Sequence, residues 1–195
     1  FANHRADILI GTQMLAKGLD LPFVTLVGVV LADVGLNFPD YRAPERTFQL
    51  LMQVAGRAGR SVLGGRVILQ TFQPWHYAIQ RAAQHDVGGF YEQELEYRRQ
   101  LEYPPFSELI RLEYRHLNWN EAVRAANKLY EEASRWLQQH EVNDITLIGP
   151  APAFFEKQSN YYRWQVLVRG RRLKRIMTEL NLNGWKIEVN PPDLL

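Results

Sequence analysis

The sequence predicts a mixed α/β protein in which a parallel-sheet part is followed by an α+β part. Three observations lead to this prediction. In residues 1–104, short apolar runs typical of strands alternate with longer runs of helical periodicity. The segment Tyr103-Pro104-Pro105 ends any helix that reaches it, because proline lacks an amide donor and makes the preceding residue extended. In residues 105–195, six elements follow in the order βαββαβ.

The first part begins with elements typical of a parallel sheet. Short β-branched runs closed by turn residues predict strands at 7–11, 24–33 and 66–71. Between the last two strands we predict a helix that begins at Pro44, with Glu45 at its positively polarised end. The apolar side chains that recur at helical spacing in it are Phe48, Leu51, Met52 and Ala55. Strands that alternate with helices form parallel sheets, and ligands bind at the loops after their carboxyl ends.

Two more helices are predicted before the proline pair, at 77–86 and 88–103. The second helix carries a charged set that we expect to be mainly a solvated face: Glu92, Glu94, Glu96, Arg98 and Arg99. Because the prolines end this helix, we expect one domain at 1–104 and another at 105–195.

The second part is predicted to begin with a strand at 108–116 and a helix at 121–140 that is capped by Asn120. Further strands are predicted at 145–150, 163–170 and 185–191, with a helix at 172–182 before the last of them. This order is that of the split-βαβ sandwich, an antiparallel sheet with two helices on one face.

Composition limits the classes of function. Hydrophobic residues make up 46% of the 195, enough for a folded core, and the formal net charge is only +2. Cysteine is absent and the five histidines are scattered, so no metal site is expected. Neither a membrane span nor a signal-peptide pattern occurs, and we expect a cytoplasmic protein that contacts no membrane. Because the chain starts at Phe1, close to a predicted strand, we expect it to be a piece of a longer protein.

Two short segments carry the most specific chemistry. GTQMLAKGLDLP covers residues 11–22, and QVAGRAGR covers residues 53–60 at the end of a predicted helix. Arg57 and Arg60 have planar, permanently charged guanidinium groups that match phosphate geometry, and the glycines beside them allow close approach of the backbone. From the residues alone, an ordinary exposed helix end with cations near its carbonyl groups explains the same pattern.

A third segment, residues 157–175, contains seven basic residues and no acidic one. Basic side chains attract phosphates and aromatic rings can stack on exposed bases, so we predict that Lys157, Tyr161 and Arg163 bind DNA. Strand alternation places Trp164 on the packing face, and we expect it to be core. The alternatives are that the basic run is a solvated face or serves a protein partner.

Residues 11–22 and 53–60 resemble motifs V and VI of superfamily 2 helicases. The strings LADVGLNFPDYRAPERTFQLLMQVAGRAGR, GGRVILQTFQPWHYAI and YPPF, followed by IGPAPA and YYRWQVLVRG, resemble the family of replication-restart DNA helicases called primosomal protein N′, or PriA. The resemblance covers essentially the whole chain. It implies that residues 1–104 are the C-terminal portion of the second RecA-like helicase lobe and that residues 105–195 are a C-terminal DNA-junction-binding domain.

The resemblance also implies roles for single residues. It assigns Arg57 and Arg60 to catalysis, where they stabilise the negative charge on the transferred phosphoryl group. The residues implied to bind ATP are Gln53, Arg57, Arg60 and Asp20. The residues implied to bind the DNA backbone are Gly11, Thr12, Gln13 and Lys17. For Lys17 and Asp20, an ordinary surface turn is the alternative.

Several parts of an ATPase are missing from the sequence. It has no G-x-x-x-x-G-K-[ST] loop and no strand-borne Asp-Glu pair to hold Mg²⁺, so we expect this chain alone to be inactive. The resemblance implies that ATP and Mg²⁺ bind at a site completed by an upstream lobe. It also implies that zinc is bound only in the full-length protein, by cysteines that this chain lacks.

By resemblance, the full-length protein is an ATP-dependent 3′–5′ DNA helicase that recognises stalled or branched replication forks and initiates primosome assembly. The implied partners are branched and single-stranded DNA, other primosome proteins, and single-stranded DNA-binding protein, whose acidic tail suits a basic pocket near Arg171 and Arg172. The alternative function is a non-catalytic DNA-fork and partner-docking module that acts through residues 157–175. A plain structural adaptor is a third alternative.

Overall fold

The computed structural model of the chain describes residues 6–16, 24–58, 65–191 and 194. The chain divides into two compact units, unit 1 at Phe1–Leu95 and unit 2 at Glu96–Leu195. This division lies earlier in the chain than the Pro104-Pro105 pair on which the predicted boundary rests. Each unit has a hydrophobic core of its own.

Unit 1 contains a two-stranded parallel sheet with helices beside it. Strand β1 (Leu26–Val29) pairs with strand β2 (Arg66–Leu69), and helix α1 (Ala43–Ala58) lies between them in the chain. Helices α2 (Tyr77–Ala83) and α3 (Val87–Gln100) follow β2. The predicted alternation of strands and helices and the parallel pairing are confirmed, although both strands are shorter than predicted.

The core of unit 1 forms where α1 meets α2 and α3. The apolar face of α1 buries Phe48, Leu51 and Ala55, as its periodicity predicts, while Met52 is half-buried. Phe48 stacks on Phe90 of α3, with ring centroids 4.0 Å apart and ring planes at 3°. Burial of a side chain of this size contributes about 1.5–3 kcal/mol. The aromatic pair therefore holds α1 and α3 together.

The predicted strand at 7–11 is wrong. Residues 7–11 have no regular structure, and Ile8 and Ile10 are 77% and 89% exposed. An apolar run becomes a buried strand only where neighbouring strands bind its backbone and cover its side chains. The parallel sheet pairs β1 with β2 alone, so none of the described strands does this for residues 7–11.

The predicted solvated face of α3 is wrong at Glu94. Glu94 is only 3% exposed, and the Tyr77 hydroxyl donates a hydrogen bond to its Oε2 at 2.5 Å. Glu94 follows Phe90 by one helical turn, so the two side chains share the buried face of α3. The other members of the charged set are exposed at Glu92, Glu96 and Arg99 and half-buried at Arg98.

Unit 2 contains an antiparallel sheet with helices packed on it. Its strands are β3 (Glu108–His116), β4 (Ile145–Gln158), β5 (Tyr161–Gly170) and β6 (Trp185–Val189). Their spatial order is β4-β5-β3-β6, and every neighbouring pair is antiparallel. Helix α4 (Trp119–Gln139) joins β3 to β4, and helix α5 (Lys174–Met177) joins β5 to β6. In both connections one other strand lies between the joined strands, which confirms the predicted split-βαβ order.

One face of the unit 2 sheet packs against both helices. Ile110 and Leu112 of β3 and Val168 of β5 form a cluster with Leu129 of α4 and Ile176 of α5. All five side chains are at most 5% exposed. Side chains alternate between the two faces of a strand, so the residues between these ones lie on the opposite face. The helices therefore lie on one face, as predicted.

The first turn of α4 differs from the prediction. Asn118, and not Asn120, caps the helix, since its Oδ1 accepts hydrogen bonds from the Asn120 and Glu121 amides at 2.9 and 3.4 Å. A capping residue needs an extended backbone, and Asn118 has one, with φ −101° and ψ 125°. Asn120 lies inside the helix, where it supplies an amide to the cap.

The β4–β5 connection and α5 also differ from the prediction. β4 continues to Gln158 and forms a hairpin with β5 through Ser159 and Asn160, whose φ angles are +50° and +68°. Two left-handed residues match a tight hairpin turn to the twist of its strands. α5 ends at Met177, well short of the predicted end, and the Thr178 hydroxyl donates a hydrogen bond to the Arg175 carbonyl there.

Candidate nucleic-acid interface

Three of the four residues of unit 1 predicted to contact the DNA backbone lie in an exposed segment beside α1. They are Gly11, Thr12 and Gln13, and all three are exposed. Gln13 begins a short 3-10 turn that packs against α1, the helix that carries Gln53. Backbone amides and a hydroxyl in such a segment are suitable phosphate ligands that do not read base sequence.

The residues predicted to bind ATP are described only in part. Gln53 is exposed on α1, and the backbone of Arg57 lies in the last turn of that helix, which ends at Ala58. The side chain of Arg57 lies outside the described part of the chain, as do Lys17, Asp20 and Arg60. Their predicted roles stay predictions.

A buried carboxylate that the sequence patterns did not single out joins the loops at the carboxyl end of the parallel sheet. Asp33, shortly after β1, is 4% exposed, and its Oδ2 accepts a hydrogen bond from the Phe72 amide after β2 at 3.1 Å. The Gln73 side chain donates to Asn37 Oδ1 at 3.3 Å across the same two loops. Ligands of α/β folds bind at this edge of the sheet, so Asp33 shapes the edge where they would approach.

Lys157 and Tyr161, two predicted DNA-binding residues of unit 2, lie at the end of the β4–β5 hairpin. Tyr161 is 44% exposed. Lys157 is exposed, and its Nζ lies 4.9 Å from the centroid of the Tyr162 ring. Tyr162 is half-buried, so the exposed groups at this end are the Lys157 ammonium and the Tyr161 ring, which are of the kinds that bind single-stranded nucleic acid.

Arg163, the third predicted DNA-binding residue of unit 2, lies inside the protein. It is 5% exposed, and its Nη2 and Nε donate hydrogen bonds to Glu113 Oε2 at 2.7 and 3.2 Å. Its Nη1 donates to Gln158 Oε1 at 3.2 Å and to the Phe155 carbonyl at 3.5 Å. Because these partners surround the guanidinium, Arg163 is not displayed to a DNA phosphate in this structure. Strand alternation predicted that Arg163 lies on the sheet face away from the helices. It did not indicate that Glu113, Gln158 and the Phe155 carbonyl enclose the guanidinium on that face.

The carboxylate that binds Arg163 has an unusual environment. Glu113 is 1% exposed, and its Oε1 accepts a second hydrogen bond, from Arg115 Nε at 2.5 Å. Burial by itself would raise the pKa of Glu113, but the hydrogen bonds and charges of Arg163 and Arg115 hold that pKa below its usual value. Glu113 is therefore a buried, ionised carboxylate with a guanidinium on each oxygen.

A second ion pair lies on the same sheet face, between β3 and β6. Arg111 is 4% exposed, and its Nε donates to Glu188 Oε2 at 2.7 Å. Lys186 Nζ lies 2.9 Å from the other oxygen of Glu188. Burial opposes ionisation of Glu188, but Lys186 and Arg111 together keep its pKa below its usual value. The charged side chains of these two clusters are thus paired with one another on this face.

The basic segment 157–175 is not one continuous surface. Arg171 and Arg172 are exposed just after β5, at the opposite end of that strand from Lys157. A strand of this length separates its ends by roughly 30 Å. Between them, Arg169 Nη1 donates to the Leu101 carbonyl at 2.9 Å, and Arg163 is buried. The structure therefore does not bring Arg171 and Arg172 together with Lys157.

Two aromatic side chains on β4 were missed because the strand was predicted to end at residue 150. Phe154 and Phe155 are 46% and 57% exposed, with ring centroids 5.0 Å apart and ring planes at 85°. Trp164, which we expected in the core, is only half-buried, and its ring lies 6.1 Å from that of Trp119 of α4. The Trp119 indole donates a hydrogen bond to Glu156 Oε1 at 2.7 Å, which ties α4 to the hairpin. A double phenylalanine in a basic, aromatic-rich stretch was the sequence signal for this exposed pair.

Some kinds of site do not occur in the part of the chain that the structure describes. No three His, Asp or Glu side chains in it are placed to hold a metal ion together. Its helices are all too short or too polar to cross a membrane.

Comparison with known proteins identifies unit 2 first. Residues 99–192 match the family model for the primosomal protein N C-terminal domain, and this range covers nearly all of Glu96–Leu195. Unit 2 therefore belongs to the class of primosomal protein C-terminal domains.

Whole-chain relatives then identify the family. The chain is 48% identical over 169 residues to the replication restart protein PriA of Synechocystis sp., which covers 87% of this chain and 20% of that protein. It is 43% identical over 191 residues to PriA of Bacillus subtilis, covering 97% of this chain and 23% of that protein. It is 34% identical over 189 residues to PriA of Borreliella burgdorferi, covering 97% and 28%. The chain belongs to the PriA family, as its motifs predicted, and spans 20–28% of the length of these relatives.

Proposed function

We propose that this chain is the C-terminal part of an ATP-dependent 3′–5′ DNA helicase that recognises stalled or branched replication forks and initiates primosome assembly for replication restart. One observation carries the proposal: 87–97% of the chain aligns at 34–48% identity with proteins named for replication restart. Unit 1 would be the C-terminal portion of a RecA-like lobe, and unit 2 a domain that binds DNA junctions. The protein would act in the cytoplasm.

Unit 1 would complete an ATP site together with an upstream lobe that also holds Mg²⁺. The donor set suits ATP, because the guanidinium groups of Arg57 and Arg60 match phosphate oxygens in geometry and charge. Bound ATP supplies the phosphoryl group that is transferred to water. Arg57 and Arg60 would stabilise the charge that develops on that group, with Gln53 and Asp20 also bound to the nucleotide. The family's zinc would be held elsewhere in the full-length protein.

Both units would bind DNA without reading its sequence, as a motor must. In unit 1 the exposed residues Gly11, Thr12 and Gln13, together with Lys17, would bind phosphates of the translocated strand. In unit 2 the hairpin end with Lys157 and Tyr161 would bind branched or single-stranded DNA. Single-stranded DNA-binding protein and other primosome proteins would be partners, and the exposed Arg171 and Arg172 would suit the acidic tail of the former.

The test is DNA-stimulated ATP hydrolysis by the full-length protein that contains this chain. We expect Arg57→Ala or Arg60→Ala to lower turnover by roughly 10³-fold or more, because each removes a charge that acts on the transferred phosphoryl group. Fork binding should change little, since neither arginine is assigned to DNA. Arg66→Ala removes an exposed arginine at the start of β2 and is the matched control. Unchanged turnover in both motif variants would refute the catalytic assignment.

The alternative is a non-catalytic module for DNA forks and partners. Unit 2 favours this alternative, because it has a fold and a core of its own that do not include the segments 11–22 and 53–60. The end of its β4–β5 hairpin is also exposed. The ATPase test distinguishes the two functions. The module would be supported if the full-length protein binds DNA forks but hydrolyses no ATP, both in the parent protein and in the Arg57→Ala variant.

A further inference from the structure

The β4–β5 hairpin carries a bulge at residues 153–156. Pro152 pairs with Trp164 and Lys157 pairs with Tyr162, so residues 153–156 lie opposite the single residue Arg163. Extra residues in one strand cannot all join the ladder, and the strand bends outward there. The bulge places the rings of Phe154 and Phe155 at the surface, where about half of each is exposed.

Side chains from two other elements hold this bulge in place. The buried Arg163 donates to the Phe155 carbonyl and to Gln158 Oε1, and is itself fixed by Glu113 of β3. On the other side, the Trp119 indole of α4 donates to Glu156 Oε1 at 2.7 Å. These bonds replace the missing ladder contacts. The backbone that carries the two rings is therefore held in place before any ligand binds, which lowers the entropic cost of binding.

The surroundings of the rings indicate what would bind them. The exposed Lys157 directly follows the bulge in the chain, and the half-exposed Tyr161 follows the turn of the same hairpin, so the hairpin end carries a cation as well as exposed aromatic rings. Glu156 lies between Phe155 and Lys157 in the chain, and the Trp119 hydrogen bond holds its side chain to α4. A polyanion whose flat rings are exposed matches this combination. In duplex DNA the bases already stack on one another, so unpaired bases are the better match.

We infer that Phe154 and Phe155 form a stacking surface for unpaired bases of single-stranded DNA, with Lys157 binding the adjacent phosphate. This inference rests on the proposed function, and goes beyond it by naming the part of the DNA that unit 2 binds and the side chains that bind it. Arg163 is a positioning residue, which holds the bulge and does not touch DNA.

The experiment measures binding of fluorescein-labelled oligo(dT) and of a blunt duplex to the full 195-residue chain. Phe154→Leu/Phe155→Leu keeps apolar side chains but removes both rings. We expect affinity for oligo(dT) to fall roughly tenfold, since that is the typical effect of losing base stacking on an aromatic ring. Affinity for the duplex and the salt dependence of binding should be unchanged, because the basic residues remain.

Two controls separate stacking from folding. Phe154→Tyr/Phe155→Tyr retains the rings and should retain affinity for oligo(dT). Phe72→Leu removes a phenylalanine of unit 1 that is 78% exposed and should leave that affinity unchanged. Sedimentation of each variant reports whether the bulge instead joins two copies of the chain.

The outcomes are distinguishable. Unchanged oligo(dT) affinity in the double leucine variant would overturn the stacking inference while leaving DNA binding by the chain intact. A dimeric parent chain that becomes monomeric in that variant would overturn it in favour of a second copy on the bulge. A parent chain that binds neither oligo(dT) nor a fork would overturn the proposed DNA-binding role of unit 2 itself.

Discussion

Replacing Arg163 by methionine tests whether the buried ion pair holds unit 2 together. Methionine fills similar space but leaves Glu113 Oε2 without its two hydrogen bonds and releases the Phe155 carbonyl. Breaking a buried ion pair by removing one partner costs about 3–5 kcal/mol. Arg115 still binds Glu113 Oε1, so we expect the lower end of this range, about 3 kcal/mol. For a unit of about 100 residues, 1 kcal/mol lowers the melting temperature by about 4–8 °C, so the fall should be roughly 12–24 °C.

The assay is urea unfolding followed by tryptophan fluorescence. Trp75 is the tryptophan of unit 1 and is 76% exposed, so Trp75→Phe leaves a signal from unit 2 alone. Arg163→Met in this background should lower the urea midpoint without changing the slope, because the surface exposed on unfolding stays the same.

The double variant Glu113→Leu/Arg163→Met provides the control. It removes both buried charges, so we expect it to recover most of the lost free energy of unfolding. Arg115 is 44% exposed at its side chain and can return to water. A loss below about 1 kcal/mol in Arg163→Met, the value for an exposed pair, would refute the reasoning. A double variant no more stable than the single one would refute it too.

Two further predictions concern unit 2. The pKa of Glu113 is lower in the fold than its usual 4.5, so its ionised form stabilises the fold fully above that pH and less as the pH falls through the folded pKa. In Glu113→Gln, the free energy of unfolding should therefore decrease less than in the parent chain as the pH falls below 4.5. Urea titrations that show an equally steep decrease in both chains would contradict this. Asn118→Ala should cost about 1 kcal/mol because it removes the cap of α4. Asn120→Ala, inside the same helix, should change the unfolding free energy by less than about 0.5 kcal/mol, and equal losses in the two variants would argue against the cap.

Sequence patterns predicted elements best where packing repeats along one strand or helix. β3 alternates between a helix-covered face and a charged face, and its span matches the prediction at both ends. α1 follows its apolar spacing in the same way. At residues 7–11 the pattern indicated only strand propensity, and none of the strands in the described part of the chain pairs with this segment.

The parts that sequence could not predict depend on distant partners. Arg163 and Glu113 are fifty residues apart in the chain, and nothing local distinguishes this buried arginine from the exposed Lys157. The burial of Glu94 likewise depends on Tyr77 in another helix. For the candidate ATP site, local chemistry allowed an ordinary helix end, and the resemblance of residues 53–60 to a helicase motif supplied the prediction. Family membership was confirmed, whereas the roles of Arg57 and Arg60 stay predictions.

The most direct test of the account is binding of the 195-residue chain to a fluorescent DNA fork and to a blunt duplex of equal length, at low and moderate salt. Phosphate release from ATP is followed in the same tube. The account predicts salt-sensitive binding that prefers the fork, because it assigns junction binding to unit 2. It predicts no ATP hydrolysis, because the sequence contains no G-x-x-x-x-G-K-[ST] loop. Absence of binding at low salt, or equal affinity for the fork and the duplex, would contradict the assignment of junction recognition to unit 2.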